Sequence, residues 1–125
     1  MKKAKGTILI VEDDFHIRSQ LIEVFEGEEY PVRSAENGRV ALSLLEDLSP
    51  LPRLIFLDLM MPVMDGQTFL TEIQRRQEKV RFKDIPVAIV SAARQEIYGN
   101  VVAYFRKPPQ IDQLLDLAER YATFD

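Results

Sequence analysis

Short apolar runs rich in branched side chains recur along the chain, separated by longer and more polar segments. Four of the runs are apolar at almost every position, which is typical of parallel strands that are covered on both faces of a sheet. They occupy residues 7–11, 54–57, 87–90 and 101–105. A fifth run, residues 30–35, contains a proline and polar residues, and we therefore predict an edge strand there.

The segments between the runs carry apolar residues at intervals of three and four positions, which predicts amphipathic helices. The four stripes are Ile17, Leu21, Val24 and Phe25, with Asp14 as the helix cap; Ala41, Leu44, Leu45 and Leu48; Phe69, Leu70, Ile73 and Val80, opened by Asp65 and Gly66; and Ile111, Leu114, Leu115, Ala118 and Tyr121. Strands and helices alternate, which predicts an α/β protein with a doubly wound, five-stranded parallel sheet. We expect a single domain over residues 1–125.

One connection is too short for this alternation of strands and full-length helices. Only nine residues, Ala92 to Asn100, separate the fourth apolar run from the fifth, whereas a parallel crossover with its helix needs at least about 10–12 residues. The fourth helix is therefore predicted to be shortened or missing, with Gly99 ending any helix that starts there. We expect the flank of the last strand to be partly open to a partner or a second copy of the chain.

Composition excludes several classes of function. A net charge of −4 argues against nucleic-acid binding, which needs a basic surface. The absence of cysteine excludes disulfides, thiolate metal sites and a thiol nucleophile. The apolar run 8–11 ends at three consecutive acids and is too short for a signal peptide or a membrane span. We expect a cytoplasmic protein with neither nucleic-acid nor membrane partners.

Three carboxylates directly follow predicted strands: Glu12 and Asp13 follow the first, and Asp58 follows the third. Ligands of doubly wound sheets bind at the carboxyl ends of the strands, so we expect these side chains to converge if the two strands are neighbours. Two like charges ~4 Å apart repel by roughly 1 to 4 kcal/mol. A hard cation with oxygen ligands, most simply Mg²⁺, would relieve that repulsion. Helix capping, the alternative, accounts for Asp14 but leaves Asp58 unexplained.

Two more polar residues end predicted strands at the same edge of the sheet. Ser91 closes the run 87–90, and Lys107 follows the run 101–105 after one arginine. A hydroxyl donor and an ammonium beside three acids and a cation would form a pocket for a transferred phosphoryl group, with Asp58 as the attacking nucleophile.

This constellation resembles the receiver domain of two-component response regulators over essentially the whole chain. The resemblance rests on IVEDD at 10–14, DLMMPVMDG at 58–66, VSA at 90–92 and KP at 107–108. It implies a flavodoxin-like fold with strand order 2-1-3-4-5. It also implies a signalling function exerted through protein contacts, which we expect from a receiver domain without an output domain.

The resemblance implies that Asp58 accepts a phosphoryl group from a sensor histidine kinase or a phosphotransfer protein. Ser91 and Lys107 would hold the phosphoryl oxygens, and the Lys107–Pro108 peptide bond would be cis. Tyr104 would be the aromatic residue whose rotation reports phosphorylation.

A cofactor is implied as well. Mg²⁺ would be bound by Asp13, Asp58 and the backbone carbonyl of Met60, with Glu12 acting through water. The downstream partner is not indicated by any motif, and a homodimer is one of the assemblies that we consider.

Three functions are compatible with an aspartate at the end of an apolar strand. The leading one is a phosphoacceptor switch, which is no enzyme beyond its own phosphorylation and dephosphorylation. A haloacid-dehalogenase-type phosphatase is rejected, because it needs a second aspartate where Met60 stands. A phosphorylation-independent adaptor or dimerisation module stays open, because the segment from Ser91 to Lys107 is about one and a half helical turns shorter than in the family, at about 3.6 residues per turn.

Overall fold

The structure is a computed structural model that describes residues 3–76, 82–92 and 99–125. Within this part of the chain it contains seven strands, four α-helices and one short 3₁₀ helix. The strands are β1 (Ala4–Lys5), β2 (Ile8–Val11), β3 (Val32–Ala35), β4 (Leu54–Leu57), β5 (Val87–Ser91), β6 (Val101–Arg106) and β7 (Thr123–Phe124). The α-helices are α1 (Phe15–Gly27), α2 (Gly38–Asp47), α3 (Gly66–Arg75) and α4 (Ile111–Ala122), and the 3₁₀ helix is Phe82–Asp84.

Five of the strands form one parallel sheet in the order β3-β2-β4-β5-β6. Counting only these five, the order is 2-1-3-4-5, which confirms the predicted doubly wound topology. Every residue of β2, β4 and β5 is buried, as expected for strands covered on both faces. The run 30–35 contains β3 at one edge of the sheet, which confirms its predicted position, and its proline, Pro31, directly precedes the strand.

Helices cover the two faces of the sheet in pairs. Leu21 and Phe25 of α1 pack with Leu114 and Ala118 of α4 on one face. Helices α2 and α3 pack on the other face through a cluster that includes Leu45, Phe69, Leu70 and Ile73. This layering confirms most of the predicted apolar stripes within the described residues. Ile111 of the fourth stripe is an exception, because its side chain is exposed at the start of α4, and Val80 of the third stripe lies outside the described residues.

Three helices begin at side chains that accept a hydrogen bond from the first turn. Asp14 accepts from the backbone N–H of Ile17 at 3.0 Å, and Asp65 accepts from that of Thr68 at 2.8 Å. Asn37 caps α2 in the same way. These caps satisfy backbone donors that a helix start leaves without partners. Asp14 therefore serves as the predicted cap of α1.

The predicted short connection falls largely on residues 93–98, which lie outside the described residues, and so do Ile97 and Tyr98. Between β5 and β6 the described residues, Ala92, Gly99 and Asn100, contain no helix. Gly99 has a φ of 142°, in the region that favours glycine. Residues 101–105 of β6 are only partly buried, in contrast to the central strands.

The two short strands were not predicted. Strand β1 pairs antiparallel with β7, and the N–H of Gly6 donates to the carbonyl of Ala122 at 2.7 Å. The guanidinium of Arg53 lies 4.0 Å from the centre of the Phe124 ring. This clasp joins the two ends of the described chain beside the amino ends of the parallel strands. No helix in the described part of the chain is both long enough and apolar enough to span a bilayer.

The start of α3 packs directly against the backbone around Asp58. A Cβ atom at Gly66 would lie 2.5 Å from the carbonyl oxygen of Asp58 and 2.8 Å from the Cα of Leu59. We therefore expect Gly66→Ala to lower the free energy of unfolding by roughly 1–3 kcal/mol, measured by urea denaturation. Gly27→Ala is the matched control, because a Cβ there meets nothing within 4 Å, and it should leave stability unchanged or slightly higher. Equal stability of the two variants would contradict this packing.

Candidate functional site

The site is built where two neighbouring strands end. In the register of the sheet Val11 of β2 lies opposite Leu57 of β4, so the next residues, Glu12 and Asp58, leave the sheet side by side. The N–H of Asp58 donates to the carbonyl of Val11 at 2.9 Å, and the N–H of Glu12 donates to that of Ala35 at 3.0 Å. These bonds extend the ladder by one step and hold both acids at the sheet edge.

Asp13 completes a cluster of three acids. One carboxylate oxygen from each of Glu12, Asp13 and Asp58 lies within 4.8 Å of the other two. Glu12 is 2% exposed and Asp58 is 4% exposed, whereas Asp13 faces solvent. The structure thus brings together the three side chains that the sequence placed at strand ends.

Lys107 supplies positive charge to the two buried acids. Its Nζ lies 2.6 Å from Oε1 of Glu12 and 3.4 Å from Oδ2 of Asp58. The backbone N–H of Lys107 donates to the carbonyl of Ser91 at 3.0 Å, which anchors the lysine to the end of β5. The Lys107–Pro108 bond is cis, which confirms that expectation.

Burial and neighbouring charge shift the protonation of this pair. Burial raises the pKa of Glu12 from 4.5 to about 7; the charge of Asp58 adds to the rise, and hydrogen bonds from Lys107 and the N–H of Asp14 oppose it. Burial alone would lower the pKa of Lys107, but its hydrogen bonds and charge interactions with Glu12 and Asp58 outweigh burial and raise that pKa. Lys107 is therefore an ammonium at neutral pH.

The other predicted residues lie around this centre. Ser91 is fully buried at the end of β5. Met60 is exposed, and its backbone N–H is 3.4 Å from Oδ1 of Asp58. Tyr104 of β6 lies opposite Ile89 of β5 and packs against the core that α2 and α3 cover. The predicted roles of the Ser91 hydroxyl, the Met60 carbonyl and the Tyr104 ring remain predictions.

Sequence reasoning missed Arg18. Its guanidinium Nη1 donates to the backbone carbonyls of Glu12 at 2.8 Å and Asp13 at 3.2 Å. Arg18 follows its helix cap, Asp14, by four residues, or about one helical turn. That spacing indicates a side chain long enough to contact the backbone of the residues just before the helix.

The donor set fits a hard divalent cation. Three carboxylates with oxygens this close together offer the oxygen ligands that Mg²⁺ prefers. A cation shared among them would also offset the repulsion between the two buried carboxylates. Within the described part of the chain, Glu12, Asp13 and Asp58 form a group of side chains that could hold it.

The same residues lie within a match to a known family. The family model described as the response regulator receiver domain matches residues 8–119. The chain is 35% identical over 125 residues to sporulation initiation phosphotransferase F of Bacillus subtilis, covering 91% of each protein. It is also 35% identical over 97 residues to histidine kinase P4 of Formosa agariphila, where the match covers 78% of this chain but only 7% of that protein.

Solved structures agree with these matches. The receiver domain of the Francisella response regulator 1452 has a TM-score of 0.79 and 25% sequence identity to this chain, with 92% of this chain and 94% of that one covered. The fold, the family model and the relatives lead to the same conclusion, and the chain belongs to the response regulator receiver domain family.

Proposed function

We propose that this protein is a cytoplasmic phosphoacceptor switch, in which Asp58 receives a phosphoryl group from a histidine kinase or a phosphotransfer protein. The observation that carries the proposal is the setting of Asp58: a buried carboxylate that lies close to the Lys107 ammonium and to the carboxylates of Glu12 and Asp13. Lone buried carboxylates are costly, and a site that shares their charge with a cation and a transferred phosphoryl group accounts for keeping them. One relative carries phosphotransferase in its name, which supports the same reaction class.

In the proposed reaction a carboxylate oxygen of Asp58 attacks the phosphorus of an N-phosphorylated histidine. The new O–P bond forms as the P–N bond breaks, and the imidazole leaves with the bonding electrons and takes up a proton. Lys107 is placed to pair with the phosphoryl oxygens, because its ammonium already lies 3.4 Å from Asp58. Ser91 would donate its hydroxyl to the same oxygens.

Mg²⁺ is the proposed cofactor and would supply positive charge to the transferred group. Asp13, Asp58 and the carbonyl of Met60 would hold it, with Glu12 acting through water. Hydrolysis of the resulting acyl phosphate would reset the switch, so the proposed activity is limited to the chain's own phosphorylation and dephosphorylation. The domain is regulatory.

Protein contacts are the proposed output, with Tyr104 as the residue whose ring responds to phosphorylation. Large apolar side chains lie exposed on the loops and helix starts beside the acids: Phe15, Met60, Val63 and Ile111. An apolar rim around a polar centre suits a partner that must bring a phosphoryl donor to Asp58. A homodimer is among the proposed assemblies.

A phosphorylation-independent adaptor is the second candidate. The partly exposed β6 strand favours it, because an open strand flank can dock a partner without any change at Asp58. The two functions differ in one property, which is whether the chain acquires a phosphoryl group.

The test is incubation with Mg²⁺ and a small acyl-phosphate donor, followed by intact mass measurement. We expect a mass increase of one phosphoryl group that disappears when a chelator removes Mg²⁺, because the donor's charge must be neutralised for transfer. The adduct should be labile, as acyl phosphates are. Unchanged mass with intact folding and ample Mg²⁺ would contradict the switch and favour the adaptor.

A further inference from the structure

The backbone of Glu12 and Asp13, here called the acid loop, is held by one side chain of α1. Arg18 donates from Nη1 to two consecutive carbonyls, those of Glu12 and Asp13. The peptide groups that carry these carbonyls lie between and after the two acids. A charged guanidinium gives stronger hydrogen bonds than a neutral donor, so this contact restrains the backbone of the loop.

The restraint matters most for Asp13. The carboxylates of Glu12 and Asp58 are buried and held by Lys107, whereas Asp13 is exposed. An exposed side chain has fewer packing restraints than a buried one, so its position depends more on the backbone that carries it. The carbonyl of Asp13, 3.2 Å from the Arg18 guanidinium, gives the backbone that anchor.

We infer that Arg18 is a positioning residue that presets Glu12 and Asp13 for a divalent cation by holding the carbonyls of both. The inference rests on the proposed function, because it concerns the cation site of the phosphoacceptor. Arg18 itself touches no reacting atom. Groups that orient ligating residues typically change metal affinity by about 10- to 100-fold when they are removed.

Charge and position make opposite predictions for this residue. If Arg18 acted only through its charge, it would repel a cation, and removing it would tighten cation binding. If it acts by position, removing it weakens binding although one positive charge is lost. The sign of the change therefore separates the two roles.

The experiment measures Mn²⁺ binding by the loss of the free-ion electron paramagnetic resonance signal, at two salt concentrations. We expect Arg18→Gln to weaken binding on the order of tenfold at both, because a positional effect is not screened by salt. Arg18→Lys should fall between Arg18→Gln and wild type, since an ammonium can reach the carbonyls but lacks the planar fork. Circular dichroism and urea unfolding verify that each variant is folded.

Two controls define the comparison. Arg75→Gln removes the same charge from an exposed residue of α3 and should bind Mn²⁺ as wild type does. Asp13→Ala should lose most of the binding. Binding by Arg18→Gln that equals or exceeds that of Arg75→Gln would overturn the positioning role while leaving the proposed function intact. A wild-type protein that binds no Mn²⁺ would overturn the proposed cation site and this inference together.

A second readout follows phosphorylation from the small acyl-phosphate donor at increasing Mg²⁺. If Arg18 is a positioning residue, Arg18→Gln should need on the order of tenfold more Mg²⁺ for half-saturation. Its rate at saturating Mg²⁺ should stay close to that of wild type. A lowered saturating rate at an unchanged half-saturating concentration would mean that Arg18 acts on the transfer step, and the inference would be wrong.

Discussion

Asp58→Asn is expected to abolish the phosphoryl adduct and to leave the protein folded. The amide of asparagine has nearly the shape of the carboxylate but is not a nucleophile toward phosphorus, so no acyl phosphate can form at this position. The backbone N–H of Asp58 still donates to the carbonyl of Val11, so the end of β4 is retained. Removal of one of two neighbouring buried negative charges should keep the free energy of unfolding equal to wild type or raise it.

Intact mass after incubation with Mg²⁺ and a small acyl-phosphate donor measures this outcome. Asp14→Asn is the matched control, because it removes one charge from the adjacent helix cap and asparagine caps helices as well as aspartate does. The control should acquire one phosphoryl group at close to the wild-type rate. A phosphoryl group that appears on Asp58→Asn at the wild-type rate would show that the acceptor is another residue.

The sheet and the acids could be predicted from the sequence for a shared physical reason. Strands covered on both faces read as unbroken apolar runs, and polar residues at their carboxyl ends must lie at one edge. Glu12 and Asp58 follow such runs directly, so whether these two side chains lie close together depended only on the strand order. That order came from the family resemblance rather than from the runs themselves.

The Arg18 contacts and the clasp of β1 and β7 could not be predicted from apolar runs. In the sequence Arg18 is one of several polar residues of α1, and its contact with two carbonyls depends on how the chain turns before that helix. The clasp of β1 and β7 involves strands of two residues each, which are too short to show periodicity. The clasp is a long-range feature of the fold, whereas the Arg18 contacts are local and join it to carbonyls five and six residues earlier.

The pH dependence of stability follows from Glu12. Its pKa is raised by burial from 4.5 to about 7, so the folded state binds more protons than the unfolded state between these two values. The free energy of unfolding of the metal-free protein should therefore fall as pH rises through that window. A shift of this size corresponds to on the order of 3 kcal/mol.

Lys107→Met should enlarge the fall in the free energy of unfolding with rising pH and extend it to higher pH. Without the ammonium, Glu12 and Asp58 face each other as buried carboxylates, and removing one partner of a buried ion pair typically costs about 3–5 kcal/mol. We expect about 3 kcal/mol at pH 8.5, because the Lys107 side chain is 17% exposed. At pH 5.5 the loss should be smaller, because Glu12 is then protonated and the repulsion between its carboxylate and that of Asp58 is absent.

Urea unfolding followed by circular dichroism, from pH 5.5 to 8.5 with a chelator present, measures the difference between Lys107→Met and wild type. Lys83→Met removes the same charge from an exposed position and should stay within about 0.5 kcal/mol of wild type at every pH. Added Mg²⁺ should recover part of the loss at pH 8.5, because a bound cation replaces the missing positive charge. A loss that is equal at both ends of the pH range would mean that Lys107 stabilises the fold through the packing of its methylene groups rather than through its charge.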